Sequence, residues 1–284
     1  MSDKTPICEG FAQIFALAKD RFESGRKPRA VMAAYASLHT LKAFERAYLS
    51  ELIDPVVVGD TGLFERAIAD HAPGLSSVEM IDEDHPVDSI RIVADMVAAG
   101  EVDLVVHGGI LSASLIRGLI GGESKLIHPG KIVSHVAVVE SSAYKKVTLL
   151  SDGVVHDQPD LATTLGIIQN LTGLAHAIGV TKPKIGILAA VEAVYPQMPV
   201  TMSAAALAKM SDRGQIAGAY VDGPISVDVA LDPEAAQAKG VIKSDVAGDA
   251  DAFIAPNAAT AHGMYEALQF WGECKIGGVV LGGQ

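Results

Sequence analysis

The chain has 284 residues and a mass of 29.5 kDa. That allows one large α/β domain or two of medium size, since single cores stop growing near roughly 250 to 300 residues. Hydrophobic residues make up 49 % and charged residues 20 %, with a mean hydropathy of +0.31, a balance that excludes disorder and demands a buried core. A formal charge of −12 and a pI near 5.1 argue against nucleic acid or an anionic membrane as partner. No apolar run reaches the roughly 18 residues of a transmembrane helix, and the opening MSDKTPICEGFAQ lacks the basic and apolar regions of a secretory leader. Cys8 and Cys274 stand 266 positions apart, the spacing of neither a metal nor a redox motif. The expectation is a reduced, cytoplasmic protein.

In chain order, Phe11, Ile14, Phe15, Ala18 and Phe22 recur at helical spacing and the pattern stops at Gly25, which predicts a first, core-facing helix. Short runs rich in Val and Ile then alternate with helical patterns, at 55–59, 102–109, 136–140, 147–153, 184–192, 216–223, 252–257 and 277–283. Their hydrophobicity is continuous rather than alternating, as strands buried on both faces require, so they are predicted to be mostly parallel. Asp160 precedes a helix with Leu161, Leu165, Ile168, Leu171, Ala175 and Ile178 on one face, closed by Gly179. A second helix runs from about 203 to 210, and Asp232-Pro233 opens a third, closed by Gly240. This alternation predicts an α/β protein with doubly wound, mostly parallel sheets, and the length predicts two lobes with a cleft.

No G-x-G-x-x-G follows a strand, and no Walker loop, G-x-S-x-G elbow or H-E-x-x-H pair occurs, so a metal site is not expected. What remains is a set of polar residues where strands end, the place at which open α/β sheets bind ligands. They are His107-Gly108-Gly109 ahead of a helix with Ser112, Ser114 and Arg117; Ser151-Asp152-Gly153; Glu192; Asp222-Gly223-Pro224 with Ser226 and Asp228; and Pro256-Asn257. Each also has a structural reading, because Asp-Gly pairs form turns and Ser112 or Asp228 can cap a helix.

The stretches 198–210 (MPVTMSAAALAKM), 213–228 (RGQIAGAYVDGPISVD), Lys239-Gly240 and 246–251 (VAGDAD) resemble the phosphate acetyltransferase and butyryltransferase family in order and spacing. Ser134-His135-Val136, 150–152, Pro159-Asp160 and Gln169-Asn170 extend the resemblance over nearly the whole chain. It implies a two-lobed fold like that of isocitrate and isopropylmalate dehydrogenases, with residues 1–134 and 262–284 in one lobe, the last strand returning to the first sheet, and 135–261 in the other. It also implies a homodimer, with coenzyme A and an acyl phosphate or acyl-CoA as substrates and no tightly bound cofactor.

Such enzymes move a short acyl group between coenzyme A and phosphate, which requires a carboxylate to take the thiol proton and donors for phosphate and oxyanion. Asp228 is the candidate general base, and His107, Ser134, Asp152, Glu192, Thr201, Gly223 and Pro224 are expected to line the cleft. Arg117, Lys125, Lys131, Lys145 and Lys146 are the candidate cations. The sequence departs from the family pattern at ligand-facing positions: His107 stands where many members have lysine, Val229 follows Asp228 where asparagine is usual, and Ala258-Ala259-Thr260-Ala261-His262 replaces Leu-Glu-Ala-Gly-Asn. The family's Thr-Ser-Arg-Ala-Asp-Ser segment, whose arginine and aspartate contribute to phosphate binding and proton transfer, follows the last core strand, whereas the 284 residues stop at Gln284. Two expectations stand beside each other: a shortened acyltransferase, and a family fold adapted to bind or transform a different anionic ligand or cofactor. A dehydrogenase of the related fold is a third, for which neither a cofactor motif nor metal-binding aspartates can be placed.

Overall fold

The computed structural model describes residues 8–23, 26–34, 37–107, 112–120, 127 and 130–283. Gly25, Gly108, Gly109 and Lys125, and the side chains of Phe22, Ser112 and Arg117, lie outside the described residues, so the expectations placed on them have no structural counterpart. Contacts group 15–128 into one compact unit and 129–282, with the segment before Phe15, into another. The first helix, α1 (Phe11–Glu23), contains the predicted periodic residues, but among its described side chains only those of the opening turn pack against an apolar cluster. Phe11 and Ile14 pack against the second unit's apolar cluster, whereas Phe15 is exposed.

The first unit runs β1 (Arg29–Ala33), α2 (Leu38–Leu49), β2 (Asp54–Gly59), α3 (Thr61–His71), β3 (Glu79–Asp82), α4 (Pro86–Ala98), β4 (Leu104–His107) and α5 (Ser112–Ile120). Its sheet has the order β3-β2-β1-β4 with every pair parallel. Successive strand side chains point to opposite faces, which explains the two cores. Met32 and Val57 pack with Leu41, Phe44, Phe64 and Ile68, while Val31, Val56 and Val58 pack with Ile90, Val93 and Met96. Helix starts are fixed locally, Asp60 Oδ1 accepting from Leu63 N at 2.8 Å and Ser37 Oγ from Thr40 N at 3.2 Å.

The second unit contains β5 (Ser134–Glu140), β6 (Thr148–Ser151), α6 (Leu161–Ala177), β7 (Lys184–Leu188), α7 (Pro199–Asp212), β8 (Tyr220–Ile225), α8 (Val227–Leu231), α9 (Pro233–Ala238), β9 (Ala252–Ile254), α10 (Ala258–Phe270) and β10 (Lys275–Leu281). Its sheet is mixed, in the order β10-β5-β6-β9-β7-β8: β6, β9, β7 and β8 are mutually parallel, and β5 is antiparallel to both β6 and β10. Helices α6 and α7 cover one face through Ile167, Leu171, Ala204 and Leu207. The other face, with Ala137, Leu150, Leu188, Ile225 and Phe253, packs against α8, α9 and α10 through Val229, Ala236 and Ala261. Each fully buried aliphatic side chain contributes about 1.5 to 3 kcal/mol.

The final strand differs from expectation. β10 does not return to the first sheet but pairs with β5 from Lys275↔Glu140 to Leu281↔Ser134, which carries α10 and β10 into the second unit. Gly278 leaves room for the neighbouring ring, since a Cβ there would lie 2.7 Å from His135 Nε2 and shift that side chain. β8 begins four residues later than predicted because Gly218, at φ +82°, interrupts extended backbone.

At the amino ends of β7 and β9 sits a charge cluster. Lys146, 5 % exposed, donates through Nζ to Asp251 Oδ1 and to the Asp249 carbonyl, each at 2.9 Å, and lies 2.8 Å from Asp249 Oδ1. Lys184 adds a bond from Nζ to Asp249 Oδ2 at 2.8 Å and one from its backbone N–H to Asp251 Oδ2 at 2.9 Å. Tyr144 donates to the Ala250 carbonyl at 2.9 Å, and its phenol is pushed up by burial and by the charges of Asp249 and Asp251. Lys146, one of the candidate substrate cations, is thus committed to the fold, and Lys145 lies 4.0 Å from Asp249 in the same cluster.

Candidate active site

Because β6, β9, β7 and β8 run the same way, Ser151, Ile254, Leu188 and Ile225 end at one edge of the second sheet, in the registers Ser151↔Ile254, Ile187↔Ile254 and Leu188↔Ile225. β5 starts at this edge, since Val136 pairs with Ser151. The polar residues that follow these strands are therefore gathered by topology rather than by sequence proximity.

Beyond β7 and β8 the gathering is closest. Ser226 Oγ contacts Glu192 Oε1 and lies 2.5 Å from Asp228 Oδ1. Lys239 Nζ donates to Ser226 Oγ and Asp228 Oδ1 at 3.0 Å, and sits 2.9 Å from Asp228 Oδ2 and 3.4 Å from Glu192 Oε1. One serine hydroxyl carries one proton and serves one carboxylate at a time. The ammonium of Lys239 supplies the positive charge that lets both carboxylates approach the same oxygen. The Ser226 hydroxyl bond, then the Lys239 ammonium, hold the Asp228 carboxyl down to about 2. Burial alone would raise Glu192, but bonds from Ser226 and Lys239 leave it below the usual carboxylate range. Lys239 is raised in return, first by its bond to Asp228. The result is an ionised, hydrogen-bonded pair of carboxylates around one ammonium at the sheet edge.

Gly223 and Pro224 lie within β8 rather than beyond it. A Cβ at Gly223 would stand 2.7 Å from the Ile187 carbonyl, so glycine is needed where β8 crowds β7 at its register shift. Asp152 is buried after β6, Oδ1 accepting from Val154 N at 2.9 Å and Val155 N at 3.0 Å, a turn that fixes the exit from the strand. Ser134 is buried at the start of β5, with Oγ accepting from Asn170 Nδ2 at 2.9 Å. Thr201, fully buried in the first turn of α7, accepts from Tyr195 N at 2.9 Å and has the carbonyls of Met198 and Tyr195 at 2.8 and 3.1 Å, pinning the loop that carries Glu192. Asn257 caps α10, accepting from Thr260 N at 2.8 Å. His107 ends β4 in the first unit, beside Ala33. The structure thus unites Glu192 and Asp228, places Asp152 and Ser134 along the same edge, and puts His107 in the other unit.

Ser226 was legible as a strand-end residue, but Lys239 was not among the candidate cations. It follows Asp228 by eleven positions, and only the turn between α8 and α9 folds it back. Among the described residues no cluster of His, Cys, Asp and Glu could hold a metal ion, and no helix is long and apolar enough to cross a membrane.

An α/β unit with an ionised carboxylate and ammonium cluster at the carboxyl edge of its sheet is built to bind and process small polar molecules. Residues 77–284 match the family model described as phosphate acetyl/butaryl transferase, and the chain belongs to that family. It is 34 % identical over 242 residues to the phosphate butyryltransferase of Clostridium acetobutylicum, covering 85 % of this chain and 80 % of that protein. It is 33 % identical over 260 residues to the phosphate acetyltransferase of Thermotoga maritima, covering 92 % and 87 % respectively. A branched-chain phosphotransacylase from Enterococcus faecalis superposes with a TM-score of 0.74 at 26 % identity, over 90 % of this chain and 89 % of that one. A phosphotransacetylase from Streptococcus pyogenes, at 18 % identity and TM-score 0.77 over 97 % and 91 % of the two chains, shares the fold.

Proposed function

We propose that this chain exchanges a short acyl group between coenzyme A and phosphate. The observation that carries the reading is the family match over 77–284. In the reaction the coenzyme A sulfur attacks the carbonyl carbon of an acyl phosphate, its proton passes to a base, the bond from that carbon to the bridging oxygen breaks, and phosphate leaves. Asp228 is assigned as the proton acceptor. With its carboxyl at about 2 it is ionised at neutral pH but weakly basic toward a thiol whose ordinary pKa is about 8.5. Proton transfer is therefore coupled to formation of the carbon–sulfur bond rather than preceding it. Lys239 and Ser226 hold the carboxylate in place, and Glu192 holds Lys239. Thr201 supports the loop carrying Glu192, and Asp152, Ser134, Gly223 and Pro224 shape the same edge. The enzyme works in the cytoplasm as a homodimer, with coenzyme A as a diffusible substrate.

The test is disappearance of coenzyme A thiol with acetyl, butyryl and branched short acyl phosphates, and the reverse release of coenzyme A from the thioesters by phosphate. Turnover with at least one is expected. None with any would overturn the assignment and favour a family fold adapted to another anionic ligand.

A further inference from the structure

On the α10 face of the second sheet lies a pocket of about 150 Å³, lined by Ala137, Leu150, Val154, Ala261 and Tyr265 with the imidazoles of His135 and His262. Its walls are mostly apolar, yet one lining atom, His135 Nδ1, is a buried polar atom without a hydrogen-bond partner; among the described residues Asp152 Oδ2 is another, its charge felt by His135 although Asp152 is not itself on the lining. Asp152 is 3 % exposed. A buried polar atom without a partner is costly, so His135 Nδ1 on the lining suits a ligand that brings a hydroxyl or amide to it. Burial keeps His135 below its ordinary value despite the nearby Asp152 charge, so the ring is neutral at pH 7 and has one donor and one acceptor nitrogen.

We infer that this pocket receives the pantoyl branch of coenzyme A, an inference that rests on the acyl-transfer reading. About 150 Å³ is room for roughly five water-sized groups. The pantoyl branch has that size: a quaternary carbon, its two methyls, the adjoining carbon and its hydroxyl. The methyls meet the apolar walls, and the hydroxyl, donor and acceptor at once, meets His135 Nδ1 on the lining. The reach agrees as well. Ten bonds separate the quaternary carbon from the sulfur, roughly 12 Å when extended on ordinary bond lengths. The pocket lies at β5 and β6, and the Glu192–Ser226–Asp228 cluster follows β7 and β8, two to four strands away in the order β5-β6-β9-β7-β8. At about 4.8 Å per strand that is roughly 10 to 19 Å, and the extended arm spans the nearer part of that range. A coenzyme A seated by its pantoyl group in the pocket delivers its thiol to Asp228.

The experiment fills the pocket. Ala261→Leu narrows it from within, and Val154→Phe narrows it at a residue 45 % exposed, where a larger side chain leaves the fold intact. Each is expected to raise KM for coenzyme A by about tenfold or more, the scale on which a filled pocket discriminates, with kcat and the KM for acyl phosphate within about twofold of wild type. Binding of D-pantetheine, measured by calorimetry, should weaken in parallel. Unchanged KM for coenzyme A in Val154→Phe, with its melting curve intact, overturns the inference even if Ala261→Leu fails to fold. If the wild type turns nothing over, the acyl-transfer reading fails separately. The pocket is then judged on D-pantetheine alone: binding that both folded variants lose supports it, and no binding overturns it.

Discussion

Replacing Lys146 by methionine removes the ammonium from the amino-edge cluster while keeping the length of the side chain. Three contacts go at once: the bonds to Asp251 Oδ1 and the Asp249 carbonyl, and the approach to Asp249 Oδ1. Asp249 keeps Lys184 Nζ, and Asp251 Oδ2 keeps the Lys184 backbone N–H, but Asp251 Oδ1 is left with no donor on a side chain 14 % exposed. Breaking a buried pair from one side costs about 3 to 5 kcal/mol, because the surviving charge is uncompensated. For a unit of this size that is a fall in Tm of roughly 6 to 20 °C. Urea unfolding at neutral pH reads the loss directly, with unchanged m. Adding Asp251→Asn removes the orphaned charge, keeps an acceptor for Lys184 N–H, and should restore at least about 1 kcal/mol. Acyl transfer at low temperature should be untouched, since the cluster lies at the edge opposite the site. A loss below about 1 kcal/mol in the single variant would refute the reasoning, because it would mean that water already solvates Asp251.

Acidification acts on the same cluster. Burial alone would raise Asp249, but the ammonium groups of Lys146 and Lys184 hold its carboxyl below the ordinary value. Its stabilisation is therefore fully present above the unfolded pKa of about 3.9 and is lost as pH falls through the folded value. Tm should drop between about pH 5 and pH 2, less steeply in Lys146→Met, as scanning calorimetry across that range would record. Gly240→Ala and Gly248→Ala both force alanine into a left-handed conformation, at φ +77° and +80°, costing about 1 kcal/mol. A Cβ at 248 would in addition stand 2.7 Å from Pro233 Cα, while one at 240 meets nothing within 4 Å, so urea titration should show Gly248→Ala losing at least about twice as much. Asp228→Asn should lower kcat by about 10²- to 10⁴-fold with little change in KM or Tm, in steady-state kinetics with whichever acyl phosphate the wild type accepts. A variant that instead melts without a separate kinetic defect would assign Asp228 to the fold.

Strands buried on both faces announce themselves. The runs at 55–59, 136–140 and 184–192 each contain a strand, because Val and Ile must fill both surfaces of a covered sheet. β1 and β3 were missed for opposite reasons. β1 is central but only five residues long and begins at Arg29 directly after Arg26-Lys27-Pro28, while β3 is an edge strand whose two apolar residues, Met80 and Ile81, stand between exposed carboxylates and are only half buried. The starts of α6 and α9 were legible because a side chain bonds its own backbone, whereas the equally capped starts of α2, α3 and α10 at Ser37, Asp60 and Asn257 were not recognised. Asp160 Oδ1 accepts from Thr163 N at 2.7 Å, and Asp232 Oδ1 from Glu234 N at 2.9 Å. Sheet membership of the last strand was not legible, because GGVVLGG satisfies either sheet and the choice is made by its long-range pairing with β5, from Lys275↔Glu140 to Leu281↔Ser134.

The same distinction between local and assembled information governs the site. Asp228 was found because it stands two residues beyond a strand-end motif, and Asp152 because it follows a run of apolar residues. What gives Asp228 its chemistry is not local. Ser226 is its near neighbour, but Lys239, which with Ser226 holds the carboxyl down, comes from beyond the next helix, and Glu192, which shares both partners, comes from the end of another strand. The pocket is more dispersed still, drawn from β5, β6 and α10 over residues 135 to 265. There the substitution of Ala261-His262 for the family's usual Gly-Asn reads in sequence as a loss of polar ligand groups. In the fold those two residues are walls. Departure from a family motif at that position therefore does not measure loss of function, since a side chain that stops hydrogen-bonding a ligand can still shape the surface on which the ligand's apolar part rests.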